Sequence, residues 1–416
     1  MQFKSLVLAV FLGSILLCVA IVLNNKRPAV EKKQPSAQAV KATGKCAQCH
    51  RRETPAVVHQ FEMSRHAKKG ITCLDCHRAV KGQKSVSHRG FTITAKLTSK
   101  NCAQCHKTEH DQFMRSRHAA PAWAAVAGRK DFTKEQIKFG EKHHKGAVDR
   151  AANKLAQLEG PGAITKGCAG CHDIGKPNKD GSIGTCTQCH SRHSASVALA
   201  RTPETCGQCH MGPDHSQLEI YKESKHGALF VAQKNLLKLH ARPKKLTTKD
   251  MSVPTCATCH MSGLEGMKVT HDVTERLSWY LFAPVSKKRP GYQRNQQEMK
   301  ELCKKCHTTK HVDRFYKEAE VVVHATNKKV RDEQKIIKRL RKLKLLTPAP
   351  FDEAIEFLHF DYWHYYGRTA KHAAFMGGAD FVQWHGNYEL LHLFVKIKKM
   401  AKEIEDKAKK AKTQKP

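Results

Sequence analysis

Sixteen of the 17 cysteines fall into eight Cys-x-x-Cys-His motifs. The first four are Cys46-Cys49-His50, Cys73-Cys76-His77, Cys102-Cys105-His106 and Cys168-Cys171-His172. The second four are Cys186-Cys189-His190, Cys206-Cys209-His210, Cys256-Cys259-His260 and Cys303-Cys306-His307. This is the attachment signature of c-type haem: two thiols add to the vinyl groups, and the next residue brings an imidazole to the iron. Disulfides need no histidine after the second cysteine, and zinc sites usually vary their fourth ligand. Eight motifs with histidine in the same place therefore predict eight covalently bound haems c.

Nineteen of the 27 histidines lie outside the motifs. A pure electron carrier with eight haems needs eight distal ligands, and an enzyme with one open iron needs seven. Four histidines recur two residues after a serine, with a cation between: His66, His118, His193 and His226. A hydroxyl in that position can support and orient a metal-binding imidazole. Together with His88, His271 and His372 they make the distal candidates. The pairs His143-His144 and His364-His385 read equally as structural or surface residues.

The chain that must position these groups has 416 residues, of which only 40% are hydrophobic and 7% aromatic. That is thin for a polypeptide core, and the porphyrins supply what is missing. Lys and Arg total 74 against 37 Asp and Glu, a formal charge of +37. No nucleic-acid module is recognisable, so nucleic acid is not expected as a partner. Haem propionates, two per haem, subtract about 16 charges. The remaining positive surface reads as a docking face for acidic redox partners or anionic substrates, or equally as a merely soluble lysine-rich surface.

Ser5 to Leu23 form a mainly apolar stretch that contains the seventeenth cysteine, Cys18. Its length suits a membrane-spanning helix, and no small-x-small cleavage site follows it. Residues 1–25 are expected as an uncleaved signal anchor, with a cleaved signal peptide as the alternative, and residues 26–43 as a flexible linker. Because c-type cytochromes mature outside the cytoplasm, the haem domain, residues 44–316, is placed on the extracytoplasmic side. Within it the first cysteines of motifs four to six stand only 18 and 20 residues apart, which forces neighbouring haems close together, as an electron wire requires. Residues 130–158 read as one helical run, 315–346 as another ended by Pro348 and Pro350, and 351–366 as an aromatic one. Residues 388–412 form a last helix leading into a frayed lysine-rich tail. The fold class is mainly α with little β structure: a haem-packed core followed by a helical C-terminal domain, residues 317–416.

The chain resembles the octahaem hydroxylamine oxidoreductases and their nitrite-reducing relatives, from Cys46 to about Leu391. The most specific stretch, Cys186 to Leu229, contains CTQCHSRHSAS and ETCGQCHMGPDHSQLEIYKESKHGAL; a second is AAFMGGADFVQWHG, Ala373 to Gly386. The resemblance implies that the fourth haem, held by Cys168, Cys171 and His172, is catalytic. Its distal face would be open beneath an Asp-His pair, matched here by Asp214 and His215. Interconverting nitrite and hydroxylamine takes protons as well as electrons. A histidine titrating near neutrality can move those protons while a carboxylate orients it. From the residues alone His215 reads equally as one more distal ligand; the resemblance assigns it to catalysis.

The oxidising members of that family cross-link a neighbouring subunit's tyrosine to the catalytic porphyrin. The corresponding segment here, Asp380 to Gly386, contains no tyrosine; Tyr388 lies just beyond and Tyr362, Tyr365 and Tyr366 upstream. An unmodified haem implies the reductive branch, taking nitrite to nitric oxide, hydroxylamine or ammonium. The substrate is then a small inorganic nitrogen compound, with electrons from a small cytochrome c or a quinol-oxidising membrane complex. The family tends toward homotrimers, an inference weakened where the cross-link is missing. The alternatives are hydroxylamine oxidation and a non-catalytic electron conduit.

Overall fold

Motifs two, three, six and seven lie on helices of five residues, too short to stand alone, because fixing the first turn costs more than one hydrogen bond returns. Local capping helps them. Thr72, Thr98 and Thr255 each exchange hydrogen bonds with the residue three positions on, Asp75, Asn101 and Thr258. The computed structural model describes residues 39–413. From Lys41 onward the chain forms one compact unit. The anchor, Cys18 and most of the linker expected before it lie outside the described residues. Among the described residues no helix is long and apolar enough to cross a membrane.

The protein is mainly helical. Its sole sheet among the described residues is an antiparallel hairpin of β1 (Val86–His88) and β2 (Phe91–Ile93). The helices that build the site are α1 (Ala120–Ala127), α2 (Gln217–Glu223) and α3 (Lys225–Gln233), followed by α4 (Thr309–Lys342), α5 (Ala354–Asp361), α6 (Gly367–Met376) and α7 (Glu389–Thr413). Side chains do not fill the middle of the molecule. Three separate apolar clusters, around α1, around Tyr221–Leu302 and among α4, α5 and α7, border one continuous cavity of about 3540 Å³. Cysteines and histidines of all eight motifs line that cavity. The low hydrophobic content has its explanation here: the interior is shaped to be filled by something other than polypeptide.

Several expected elements take a different form. The run expected over 130–158 is two helices, Lys134–His143 and Lys154–Ala163. Between them Gly146 turns the chain at φ +73°, Glu141 accepts hydrogen bonds from Val148 and Asp149, and Asn153 caps the second helix. The aromatic stretch does not stop at Tyr366; α5 continues through a π-helical turn, Tyr362–Tyr366, into α6. The lysine-rich tail is helical to Thr413. The boundary expected between residues 316 and 317 falls inside α4, which starts directly after motif eight and runs for 34 residues.

Candidate haem centres and active site

An iron held between two imidazoles separates their ring centroids by two metal–nitrogen bonds of about 2 Å plus two ring radii, about 6 Å in all. Seven motif histidines face another histidine at that separation: six face one of the distal candidates, and the seventh, His172, faces His215. The pairs are His50–His88 at 6.1 Å, His106–His66 at 6.1 Å and His77–His193 at 6.3 Å. The others are His210–His118 at 5.8 Å, His190–His271 at 6.4 Å and His307–His226 at 6.0 Å. Six of the seven distal candidates thus stand opposite a motif histidine, as bis-imidazole haems require. Burial holds several of these rings neutral, the form that offers a lone pair to a metal. His118 is pushed down to about 3 and His190 to about 4, in both cases by burial first and a neighbouring histidine second. The Nδ1 atom of His271 is buried without a partner. The residues present fit covalently bound haem c.

Second partners orient the motif rings. His77 Nδ1 donates to Thr94 O at 2.9 Å and His50 Nδ1 meets Thr54 Oγ1 at 2.9 Å. Two of the recurring serines act through the backbone instead. Ser64 Oγ accepts from Ala67 N–H, and Ser224 Oγ from Gly227 N–H, so each caps the helix on which His66 or His226 is the second residue. The hydroxyl positions the imidazole by fixing the helix start.

Thiol neighbours show how the motifs adjoin. Cys102 adjoins Cys186, Cys206 adjoins Cys256, and Cys209 adjoins Cys171. Cys46 lies near Cys73, Cys76 near Cys102, Cys189 near Cys206 and Cys259 near Cys303. Motifs one, two, three, five, six, seven and eight therefore follow one another in space, and motif four joins this line from the side, at motif six.

Motif four differs in its surroundings. A π-helical turn, Ile164–Cys168, leads into it, a local irregularity frequent at functional sites. His172 Nδ1 donates to Ala122 O of α1 at 2.7 Å. The close approach depends on Gly175, where a Cβ would lie 2.1 Å from Ala119 O. Opposite His172, edge-on at 83° and 6.4 Å, is His215. Its ring is also 6.0 Å from His210, but His210 already faces His118. His215 Nδ1 donates to Asp214 Oδ1 at 2.5 Å. Burial pushes the Asp214 carboxyl up, but the His215 hydrogen bond and the charges of His215, His364 and Arg368 outweigh it and hold the group below its ordinary range.

The far side of this pair comes from the C-terminal helices. Arg368 Nη1 lies 3.4 Å from Asp214 Oδ2 and donates to His364 Nε2 at 2.8 Å, while its Nε donates to Phe282 O at 3.0 Å. Phe282 packs on His215 at 5.0 Å and on His372 at 4.5 Å. His372, the seventh distal candidate, is buried here with Nδ1 donating to Arg368 O. Lys371 is fully buried and donates to Ala283 O at 2.8 Å. Sequence reading left His364 undecided and passed over Arg368 and Phe282. A signal was present, because His364, Arg368 and His372 recur every four residues and so share one helical face. His385 stands at the surface against Asp380, and His144 is structural, bonded to Arg115 O at 2.7 Å.

A mainly helical fold wrapped around a cavity lined by haem-attachment motifs defines a multihaem c-type cytochrome. The chain belongs to the multihaem cytochrome CxxCH family: the family model described as seven times multi-haem cytochrome CxxCH matches residues 69–350, which contain motifs two to eight. The chain is 25% identical over 343 residues to a probable nitrite reductase-hydroxylamine oxidoreductase fusion protein of Kuenenia stuttgartiensis. That match covers 73% of this chain and 38% of the relative, so the chain spans well under half of the relative's length. Among solved structures it is similar to a hypothetical multiheme protein (TM-score 0.74, 21% identity, 89% of this chain and 98% of that one). It is also similar to a reducing HAO-like protein complex of Kuenenia stuttgartiensis (TM-score 0.69, 19% identity, 89% and 86%).

Proposed function

We propose that the protein is an octahaem oxidoreductase of small inorganic nitrogen compounds, and that it reduces nitrite at the haem of motif four. Seven haems carry two imidazoles in this reading. Six use the facing pairs above, and the seventh, at His260, takes His372, whose Nδ1 is already engaged and whose Nε2 is left free. Phe375, one turn further along α6, packs on Tyr316, which adjoins Cys259 and Cys303, so α6 passes close to motif seven. The haem iron supplies substrate binding and electrons.

The observation that carries the reading is the group facing His172. The other facing rings stand opposite a plain imidazole, whereas His215 is bonded to a carboxylate that is itself held by Arg368 and faces His364. Such a set can move protons: His215 donates or accepts, and Asp214 keeps the ring oriented. The side position of motif four also suits a terminal site fed by a through-going line of haems. In the cell the haem domain would lie extracytoplasmically behind its N-terminal anchor, with electrons arriving from a small cytochrome c or a quinol-oxidising complex. The similarity to a nitrite reductase-hydroxylamine oxidoreductase fusion protein supports the substrate class.

A second reading has its own observation. The 6.4 Å between His172 and His215 also equals the spacing of the ligand pairs, which would make the protein an eight-fold bis-imidazole conduit. Anaerobic turnover of nitrite with a reduced dye, with product analysis, separates the two. We expect nitrite to be consumed, and the His215→Ala protein to keep eight haems and lose most turnover. Full haem reduction without nitrite loss in the wild type would favour the conduit.

A further inference from the structure

Asp214 and His215 account for only half of the groups that meet beside His172. Arg368 and His364 line the same cavity. Of the five guanidinium N–H groups, the one on Nε is spent on Phe282 O, and Nη1 serves His364 and Asp214. Nη2 makes no hydrogen bond among the described residues. The ring contact also settles how His364 carries its proton. Nε2 must present its lone pair to accept from Arg368, so the ring is neutral with hydrogen on Nδ1. That Nδ1 is buried and has no partner. A buried donor left unpaired costs about 1–3 kcal/mol, which an acceptor on a ligand would relieve.

The charges point the same way. Arg368 stays cationic although burial lowers it to about 10. Its counter-ion, Asp214, is shared with His215 and faces His364 as well. The guanidinium charge is therefore only partly offset. Lys371, the nearest further cation on α6, is turned away toward Ala283 O and Pro284 O. What is left at this wall is one partly balanced positive charge, with Arg368 Nη2 and His364 Nδ1 both without a hydrogen-bond partner among the described residues.

We propose that Arg368 and His364 form a seat for a small oxyanion, with Arg368 Nη2 and His364 Nδ1 donating to its oxygens, and so favour anionic over neutral nitrogen substrates. The inference rests on the reading that the iron held by His172 is the open one.

The test uses ferric holoprotein, titrated with nitrite and with neutral nitric oxide while the haem absorbance is followed. Arg368→Gln should weaken nitrite about 10- to 100-fold and change nitric oxide less than about threefold. Arg368→Lys, which keeps the charge, should recover most of the loss. In turnover, Arg368→Gln should raise KM for nitrite far more than KM for hydroxylamine at pH 8. Equal weakening of both ligands would mean a merely structural role and overturn the proposal, as would unchanged nitrite binding. A wild-type protein that binds nitrite but does not reduce it would sink the reductase reading and leave the seat standing. A wild-type protein that binds neither ligand would sink both.

Discussion

At the scale of single residues, the candidate ligand histidines are held by neighbours outside the motifs and the facing pairs. Ser64 is buried and its hydroxyl caps the turn that carries His66. Ser64→Ala should cost about 1 kcal/mol of stability, read by chemical denaturation, with haem content unchanged. Gly175 is a sharper case. Any side chain there collides with the backbone at Ala119, and the same contact region supplies the carbonyl that holds His172 Nδ1. Gly175→Ala should destabilise the fold by about 1–3 kcal/mol. It should also alter the absorbance of the motif-four haem while leaving those of the facing pairs alone. An unchanged spectrum would show that Ala122 does not set the tilt of that ring.

At the scale of elements, the C-terminal helices act as the far wall of the site. Their core is a bundle of α4, α5 and α7 around Val330, Leu340, Tyr362, Leu390 and Ile397. Inside it Glu333, fully buried, accepts twice from His359 Nδ1, at 2.8 and 3.0 Å. Burial raises the Glu333 carboxyl above its ordinary range, and His359 pulls it only partly back. Removing one partner of a buried pair strands the other, so His359→Ala should cost about 3–5 kcal/mol. The sign of the pH effect follows from the raised value: an ionised, unpaired Glu333 destabilises the bundle above its folded pKa. The variant should therefore regain stability as the pH falls and the carboxyl takes up a proton. Hydrogen exchange across α4 and α5 would detect it, and a deficit independent of pH would contradict it. The glycines of the Ala373–Gly386 stretch belong to this wall. A Cβ at Gly378 would meet Ile220 at 2.7 Å, and one at Gly386 would meet Ala370 at 2.8 Å. The first contact holds the end of α6 against the helix that follows Asp214 and His215, and the second packs α6, with Arg368 and His372, against the turn that leads into α7.

At the scale of the whole molecule, the proposed function has electrons arriving along the line of motifs, steered by the surface charge. A formal charge of +37, reduced by the propionates, still leaves a positive field. Its reach is about 10 Å at 0.1 M salt. Reduction by an acidic small cytochrome should thus slow several-fold between about 0.01 and 0.15 M ionic strength, measured by stopped-flow absorbance. A rate indifferent to salt would mark the lysines as solubilising only.

The haem chemistry was legible in the residues themselves, because thioether attachment and proximal ligation are set by atoms within five consecutive positions, where geometry is covalent and local. The mainly helical class and the long helix after motif eight were legible for a similar reason, since the 3.6-residue period is local too. The seven distal candidates and the Asp214-His215 pair could be named, but which motif each faces depends on closures across as many as 116 residues, as in His77–His193. The break within 130–158 was hidden because Glu141 stabilises the turn from across it. Arg368 and His364 acquire meaning only when α6 folds back over a motif some 200 residues earlier. Attachment is thus written in the chain, whereas the facing histidine pairs, the side position of motif four and the Arg368–His364 wall beside it belong to the tertiary structure, which alone decides which distant groups line one cavity.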